Sequence, residues 1–311
     1  MIADLFDTQH TTLYLEIEPS NRCNARCSIC PTTRRTPPTN MDMRTFCRII
    51  ESYVAYRPTM PLNRLVDDPA WPVLFLAGGG EPLINPQMED MVGLAARSGF
   101  QTILVTNAAL LTKDRIKALE DAGLAEVYVS FIGIKPDEYR RSMGIDYDKT
   151  YANVMQLRES KIPFRLTYTA ASTLESTDAQ ITAFWQARKI EIAGPNPVWN
   201  RGGHLEQSRS KGRPAEPVRP PRFDIPCWCL RLKYWDSISA NGDYVMCCCD
   251  YFGPSQPLGN LAQDSLATVH GNYARRLEQP HDICRACLRP DAFVSVGRAV
   301  HDFLRRHGFH L

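Results

Sequence analysis

No run of eighteen apolar residues occurs in this 311-residue chain, so no segment is long enough to cross a bilayer as a helix. The opening MIADLFDTQH lacks a basic segment followed by an apolar core, which argues against a secretory signal and for a cytoplasmic protein. Charge of one sign is missing too. Lys and Arg number 36 against 34 Asp and Glu, so neither a nucleic-acid partner nor a membrane surface is expected. Histidine is scarce at seven, and none lies near the first cysteines. Internal repeats are absent, so repeat architectures drop out. What remains is a chain with 44% hydrophobic residues, ample for one large domain and a smaller one.

Cysteine, by contrast, is abundant. Eleven in a leaderless chain point to metal or catalytic use rather than to disulfides. Cys23, Cys27 and Cys30 form a Cys-x3-Cys-x2-Cys loop. Three thiolates so close together can hold three irons of a 4Fe–4S cluster and leave the fourth open to a small molecule. Structural zinc is the alternative, but it prefers four closed ligands, commonly in Cys or His pairs.

Alternation at Leu13, Leu15 and Ile17 marks 11–18 as a strand running straight into that loop. Val73–Leu76, Ile103–Val105, Val127–Phe131, Phe164–Tyr168 and Ile190–Ala193 read as further strands. Met43–Arg57, Pro86–Ser98, Lys113–Ala122, Thr150–Ser160 and Thr177–Lys189 read as helices. Strands separated by helices of this length imply parallel βαβ units. The expected fold is α/β, a partial (β/α)6 barrel with its site at the carboxyl ends of the strands. Residues 1–200 make the barrel and 201–226, rich in Gly and Pro, a linker or covering loop. Residues 227–290 form a small cysteine-rich domain and 291–311 a terminal helix.

Gly78-Gly79-Gly80-Glu81-Pro82 follows the second strand. Glycines there let backbone approach a ligand closely, and the carboxylate can pair with an ammonium group. Thr106, Asn107 and Ser130 end later strands. Asn196 and Trp199 either line the cavity or serve a simple loop. Near the C-terminus, Cys229 and Cys247 flank an expected hairpin, Ile238–Met246, with Asn241-Gly242 as its tight turn. Cys284 and Cys287 complete four thiols able to close a second cluster, zinc again being the alternative. Cys227 is either structural or a substitute for Cys229. Cys47 reads as a small core residue on an apolar helix.

Together these motifs, from about Leu13 to Leu288, resemble the radical SAM enzymes with a twitch (SPASM-like) auxiliary-cluster domain. The resemblance implies two 4Fe–4S clusters and S-adenosylmethionine (SAM) as cofactors. Cys23, Cys27 and Cys30 would hold the first cluster; Cys229, Cys247, Cys284 and Cys287 the second. Gly79, Gly80 and Glu81 would grip the methionine amine, and Thr106, Asn107 and Ser130 the ribose and carboxylate. An external one-electron reductant such as flavodoxin or ferredoxin is implied as well. Two positions depart from the family pattern. Ile29 stands where an aromatic residue is common, and Cys249 stands in Cys247-Cys248-Cys249-Asp250 where related proteins read Cys-Cys-Asn-Asp. On a regular strand Cys249 would share a face with Cys247. There it is a candidate hydrogen-atom donor or else an inert buried thiol.

Within the family the chain most resembles the aminoglycoside epimerases of the neomycin C to neomycin B type. Inversion of a sugar carbon needs a hydrogen donor, and a thiol suits that role. A dehydrogenase of an aminocyclitol or aminoglycoside alcohol needs none and is the first alternative. A peptide-modifying maturase is the second, disfavoured because only 22 residues precede Cys23. A non-catalytic iron–sulfur carrier or zinc-binding interaction module would not need the glycine motif. Asp67, Asp68, Glu206 and Asp250 are candidate contacts for a polycationic substrate.

Overall fold

The computed structural model describes residues 12–31, 37–57, 72–198, 201, 204–205, 235–252 and 257–277. Strands β1 (Tyr14–Ile17), β2 (Val73–Leu76), β3 (Gln101–Thr106), β4 (Glu126–Ser130), β5 (Phe164–Thr169) and β6 (Ile192–Asn196) lie side by side in chain order, all parallel. Between them run helices α1 (Met43–Tyr56), α2 (Met88–Arg97), α3 (Lys113–Asp121), α4 (Pro136–Met143), α5 (Tyr147–Arg158) and α6 (Asp178–Gln186). Strand β7 (Trp235–Ile238) joins the free edge of β1 in parallel, and β8 (Tyr244–Val245) pairs antiparallel to it. Helix α7 (Leu266–Leu277) follows.

Local chemistry explains the helix starts. Asp42 and Asp146 accept backbone N–H groups at the first turns of α1 and α5, and Thr177 with Gln180 forms a capping box on α6. Alternation explains the two faces of the sheet. Leu15, Ile17, Leu74, Leu76, Leu104, Val127, Val129 and Leu166 are all fully buried, in one core with Phe46, Ile49 and Tyr53 of α1 and Met88, Met91 and Val92 of α2. Each such side chain contributes about 1.5–3 kcal/mol. The intervening residues of β1, β2, β4 and β7 point the other way. There Phe75 meets Tyr128 at 6.1 Å between ring centroids, although β3 separates their strands. Flat strands two apart lie about 9–10 Å from each other. The sheet therefore curls, and this face is the inside of the barrel.

Several boundaries differ from the sequence reading. Helix α4 was not anticipated: its run PDEYRRSM is mostly polar, and Pro136 and the left-handed Gly144 (φ 67°) mark its ends. Helix α5 begins at Tyr147 rather than Thr150 because Asp146 caps it. The hairpin is built differently as well. Its first strand is Trp235–Ile238, part of the barrel sheet, and the turn spans Ser239 to Asp243 with Gly242 at φ 84°. Cys47 is not a core residue; it is half-buried and lines a groove of about 500 Å³ between α1, α2 and α3. No helix among the described residues is long and apolar enough to cross a membrane.

Candidate active site

The loops at the carboxyl ends of β1, β2 and β3 converge. The cysteine loop is pinned from below by α4: the N–H groups of Arg26 and Ser28 donate to the carbonyls of Met143 and Ser142, at 3.0 and 2.9 Å. Glu138 of the same helix accepts the N–H groups of Ile134, Glu175 and Ser176 and the Ser176 hydroxyl, tying the loops after β4 and β5. Burial alone would raise the Glu138 pKa, but those donors outweigh it and hold the carboxyl below its usual value.

The glycine loop after β2 locks into the cysteine loop. The Glu81 N–H donates to the Arg22 carbonyl at 2.7 Å. A Cβ on Gly80 would lie 2.1 Å from the Ser20 carbonyl oxygen and 2.5 Å from that of Arg22. Gly80 is thus required by the chain's own backbone, where the sequence suggested only a ligand. Gly79 donates its N–H to Glu18 Oε1 at 2.8 Å. The Glu81 carboxylate, 2% exposed, accepts the Thr106 hydroxyl at 2.6 Å, the Asn107 N–H at 2.9 Å and the Leu83 N–H at 3.1 Å. Burial pushes its pKa up despite these donors. Asn107 also donates its side-chain amide to Asn24 Oδ1 of the cysteine loop. Ser130 sits half-buried at the end of β4, paired in register with Thr167. Asn196 is exposed at the end of β6 and donates to the Tyr168 carbonyl of β5.

Three further thiols lie in the turn after β8. Cys247 to Cys249 are not on a strand, so strand alternation does not govern them. The turn, closed by the Asp250 N–H on the Cys247 carbonyl, brings the two thiols together by another route. A hydrogen bond from the Cys247 S–H to Cys249, and then burial, raise the Cys247 pKa well above its ordinary value. Cys249 is 3% exposed. Cys248 and Cys30 both pack against the buried pair Val245 and Tyr251. Asp250 is buried and accepts the Met246 N–H, a role in the turn itself. Cys227, Cys229, Cys284, Cys287, Trp199, Asp67, Asp68 and Glu206 lie outside the described residues.

Sequence reading missed Glu18. It is fully buried, and its second oxygen accepts the Ala240 N–H at 3.1 Å. One carboxylate thus braces both the glycine loop and the β7–β8 turn. The available signal was a glutamate at an inward position of β1, five residues before Cys23.

Comparison with known proteins decides the family. The model of the radical SAM superfamily matches residues 17–181, just over half of the chain. The chain belongs to the radical SAM superfamily. A second model, the SPASM iron–sulfur cluster-binding domain, matches residues 227–288 and so spans all seven later cysteines. Among curated relatives, the tungsten-containing aldehyde ferredoxin oxidoreductase cofactor-modifying protein of Pyrococcus furiosus is 30% identical over 118 residues, 38% of this chain and 30% of that protein. The PqqA peptide cyclase of Rhodopseudomonas palustris is 46% identical over 55 residues, 18% of this chain and 15% of that protein. The chain thus covers less than a third of either. Among solved structures, SuiB of Streptococcus suis bound to its precursor peptide SuiA superposes with TM-score 0.67 at 15% identity, over 94% of this chain and 73% of that one. BtrN in complex with AdoMet and 2-DOIA gives 0.57 at 16%, over 90% and 94%.

This radical SAM enzyme therefore uses SAM and a 4Fe–4S cluster, with auxiliary iron–sulfur in the SPASM domain. The donor set near β1 suits a cluster. Burial, with Glu81 and Cys30 nearby, raises the Cys23 thiol to about 12, and burial with its two neighbours raises Cys27 further. Crowded, desolvated thiols favour charge only when a cationic group binds them. Among the described residues, no three His, Cys, Asp or Glu side chains gather as a single ion requires. The mutual Coulombic influence of Cys23, Cys27 and Cys30 places the three thiols near one another.

Proposed function

We propose that this enzyme inverts a sugar carbon of an aminoglycoside, of the neomycin C to neomycin B type. When bound, SAM and the first cluster supply a 5′-deoxyadenosyl radical that removes a hydrogen atom from that carbon. Cys23, Cys27 and Cys30 hold this cluster, and Cys229, Cys247, Cys284 and Cys287 hold one auxiliary 4Fe–4S cluster. Glu81 holds the SAM amino group: a carboxylate offers about four lone-pair sites, of which three take protein donors. Gly79, Gly80, Thr106, Asn107 and Ser130 shape the rest of the SAM pocket.

The planar carbon radical left in the substrate is quenched from the opposite face by the Cys249 S–H. That bond is weaker than the C–H bond it forms, so transfer runs downhill. The resulting thiyl takes one electron from an external reductant such as flavodoxin or ferredoxin, and one proton from solvent. One SAM is consumed per inversion. The observation that supports this reading is the buried third thiol in the Cys247–Cys249 turn, held beside Cys247. Cys248 is the second reading for the donor, because it packs against the same Val245 and Tyr251 pair as Cys30.

Dehydrogenation of an aminocyclitol or aminoglycoside alcohol, and peptide modification, are the competing activities. The fold neighbours carry both small and peptide ligands and do not choose between them. Anaerobic incubation of the reconstituted enzyme with SAM, reductant and neomycin C distinguishes the outcomes. Epimerisation gives a product of unchanged mass and altered retention time. A product lighter by two hydrogens overturns the reading in favour of the dehydrogenase.

A further inference from the structure

Helix α4 does more than pin the cysteine loop. It ends at Met143, and the left-handed Gly144 turns the chain away at once. A Cβ on Gly144 would lie 3.0 Å from the Arg26 Cβ and 3.2 Å from the Arg26 nitrogen, so helix end and loop touch closely. The last carbonyls of a helix have no partner within it and carry partial negative charge. Two of them, on Ser142 and Met143, accept the N–H groups of Ser28 and Arg26, the residues on either side of Cys27. Both N–H groups are thereby committed to the helix and withheld from the Cys27 sulfur. The hydroxyls of Ser142 and Ser28 both meet Thr173 Oγ1, at 2.8 and 3.4 Å, which braces the same contact from the side.

The Met143 side chain completes the arrangement. It is 1% exposed, and its thioether sulfur lies 3.7 Å from Cys27 Sγ. The Met143 carbonyl oxygen lies 4.0 Å from the same sulfur. A thioether has no hydrogen to donate, and its polarizable bulk leaves no room for water. Cys23 is treated differently, since its sulfur accepts the Ala25 N–H at 3.4 Å. Hydrogen bonds to ligand sulfurs and access of water are levers by which a protein sets a cluster's reduction potential. A donor stabilises the more negative, reduced state and so raises the potential. Around Cys27 the neighbouring donors are taken up, and a group without a donor faces the sulfur. Cleavage of the SAM carbon–sulfur bond takes one electron from the cluster, which the external reductant restores, so a low potential favours it. We infer that Met143 is a positioning residue that keeps the first cluster at low potential, its thioether shielding Cys27 Sγ from water and from hydrogen-bond donors. This rests on the assignment of Cys27 as a cluster ligand and is independent of the substrate.

The test is a redox titration of the reconstituted full-length enzyme, followed by the EPR signal of the reduced cluster. SAM binds the open iron, so the signal that changes on adding SAM marks the first cluster apart from the auxiliary one. Met143→Gln keeps the length of the side chain and sets an amide N–H against Cys27 Sγ. It is expected to keep its iron and to shift the one-electron equilibrium about tenfold toward the reduced cluster, an upward shift of about 59 mV. Met143→Leu keeps an apolar side chain and should titrate like wild type. Met143→Ala admits water to the sulfur and should raise the potential in the same direction as Gln. It decides the matter if the Gln variant does not load its cluster. An unchanged potential in both the Gln and Ala variants overturns the inference, as does an equal rise in Met143→Leu. Loss of the SAM-responsive signal in all three variants assigns Met143 to holding the loop and overturns it as well. Cys27→Ala should abolish that signal. Its persistence there would overturn the ligand assignment itself, a failure distinct from the others.

Discussion

The two halves of the barrel mouth are held in different ways. On one side, the cysteine and glycine loops interlock backbone to backbone, through the Glu81 N–H on the Arg22 carbonyl and through a Gly80 that has no room for a side chain. On the other, the β7–β8 turn, Ser239 to Asp243, meets the glycine loop through the Glu18 side chain, and the turn carrying Cys247, Cys248 and Cys249 follows β8. Chemistry common to the superfamily is thus set in rigid backbone. The thiol proposed to decide the outcome sits in a turn closed by its own local contacts, the Asp250 N–H on the Cys247 carbonyl and the Met246 N–H on the Asp250 carboxylate. Such a division lets one scaffold generate the same radical and quench it in different ways.

The comparison breaks most sharply at Gly80. A Cβ there must displace the Ser20 and Arg22 carbonyls. Gly80→Ala is expected to cut reconstituted iron from about eight to about four atoms per chain and to abolish SAM cleavage. Full iron loading would show that the interlock is dispensable. Next in size is Cys249→Ala. This variant should keep its iron and still form 5′-deoxyadenosine, yet lose epimer formation at least a hundredfold, about 2.7 kcal/mol or more. If Cys249→Ala epimerises normally and Cys248→Ala does not, the donor is Cys248.

Glu81→Gln removes a charge-assisted bond worth about 1.5–3 kcal/mol. SAM affinity, read by equilibrium dialysis, should fall roughly ten- to hundredfold. Unchanged affinity would make the motif a structural turn only. Glu18→Gln has the smallest expected effect. Its amide oxygen can keep one backbone donor but not both, so SAM affinity should fall by about threefold to tenfold, and epimer formed per 5′-deoxyadenosine should fall with it. A change in SAM affinity alone would uncouple the two sides of the mouth.

Much of the barrel was legible from residues. Periodicity placed β2 at its observed bounds and α1 within one residue, because burial there is one-sided and regular. Helix α4 stayed hidden since its buried positions include Glu138 and Ser142, polar side chains satisfied by loops distant in sequence. The parallel pairing of β7 with β1 was invisible for a related reason: it joins segments more than two hundred residues apart, and no local pattern encodes that. The cysteine and glycine motifs announced a cluster and a ligand. The jamming of Gly80 against Ser20 could not be read, because it is a tertiary contact. For the thiols, a shared strand face for Cys247 and Cys249 was expected; no strand forms there, and a turn brings the two together instead. Glu18 went unremarked because alternation on β1 was used only to find the core.

The central claim is that a protein thiol returns the hydrogen atom. It is tested most directly by running the reaction on neomycin C in deuterated water and locating the label by mass spectrometry and NMR. Thiol hydrogens exchange with solvent, so the account expects one deuterium at the inverted carbon of a product otherwise unchanged in mass, and none when Cys249 is replaced by Ala. An epimer free of deuterium, or a product two hydrogens lighter, would contradict it.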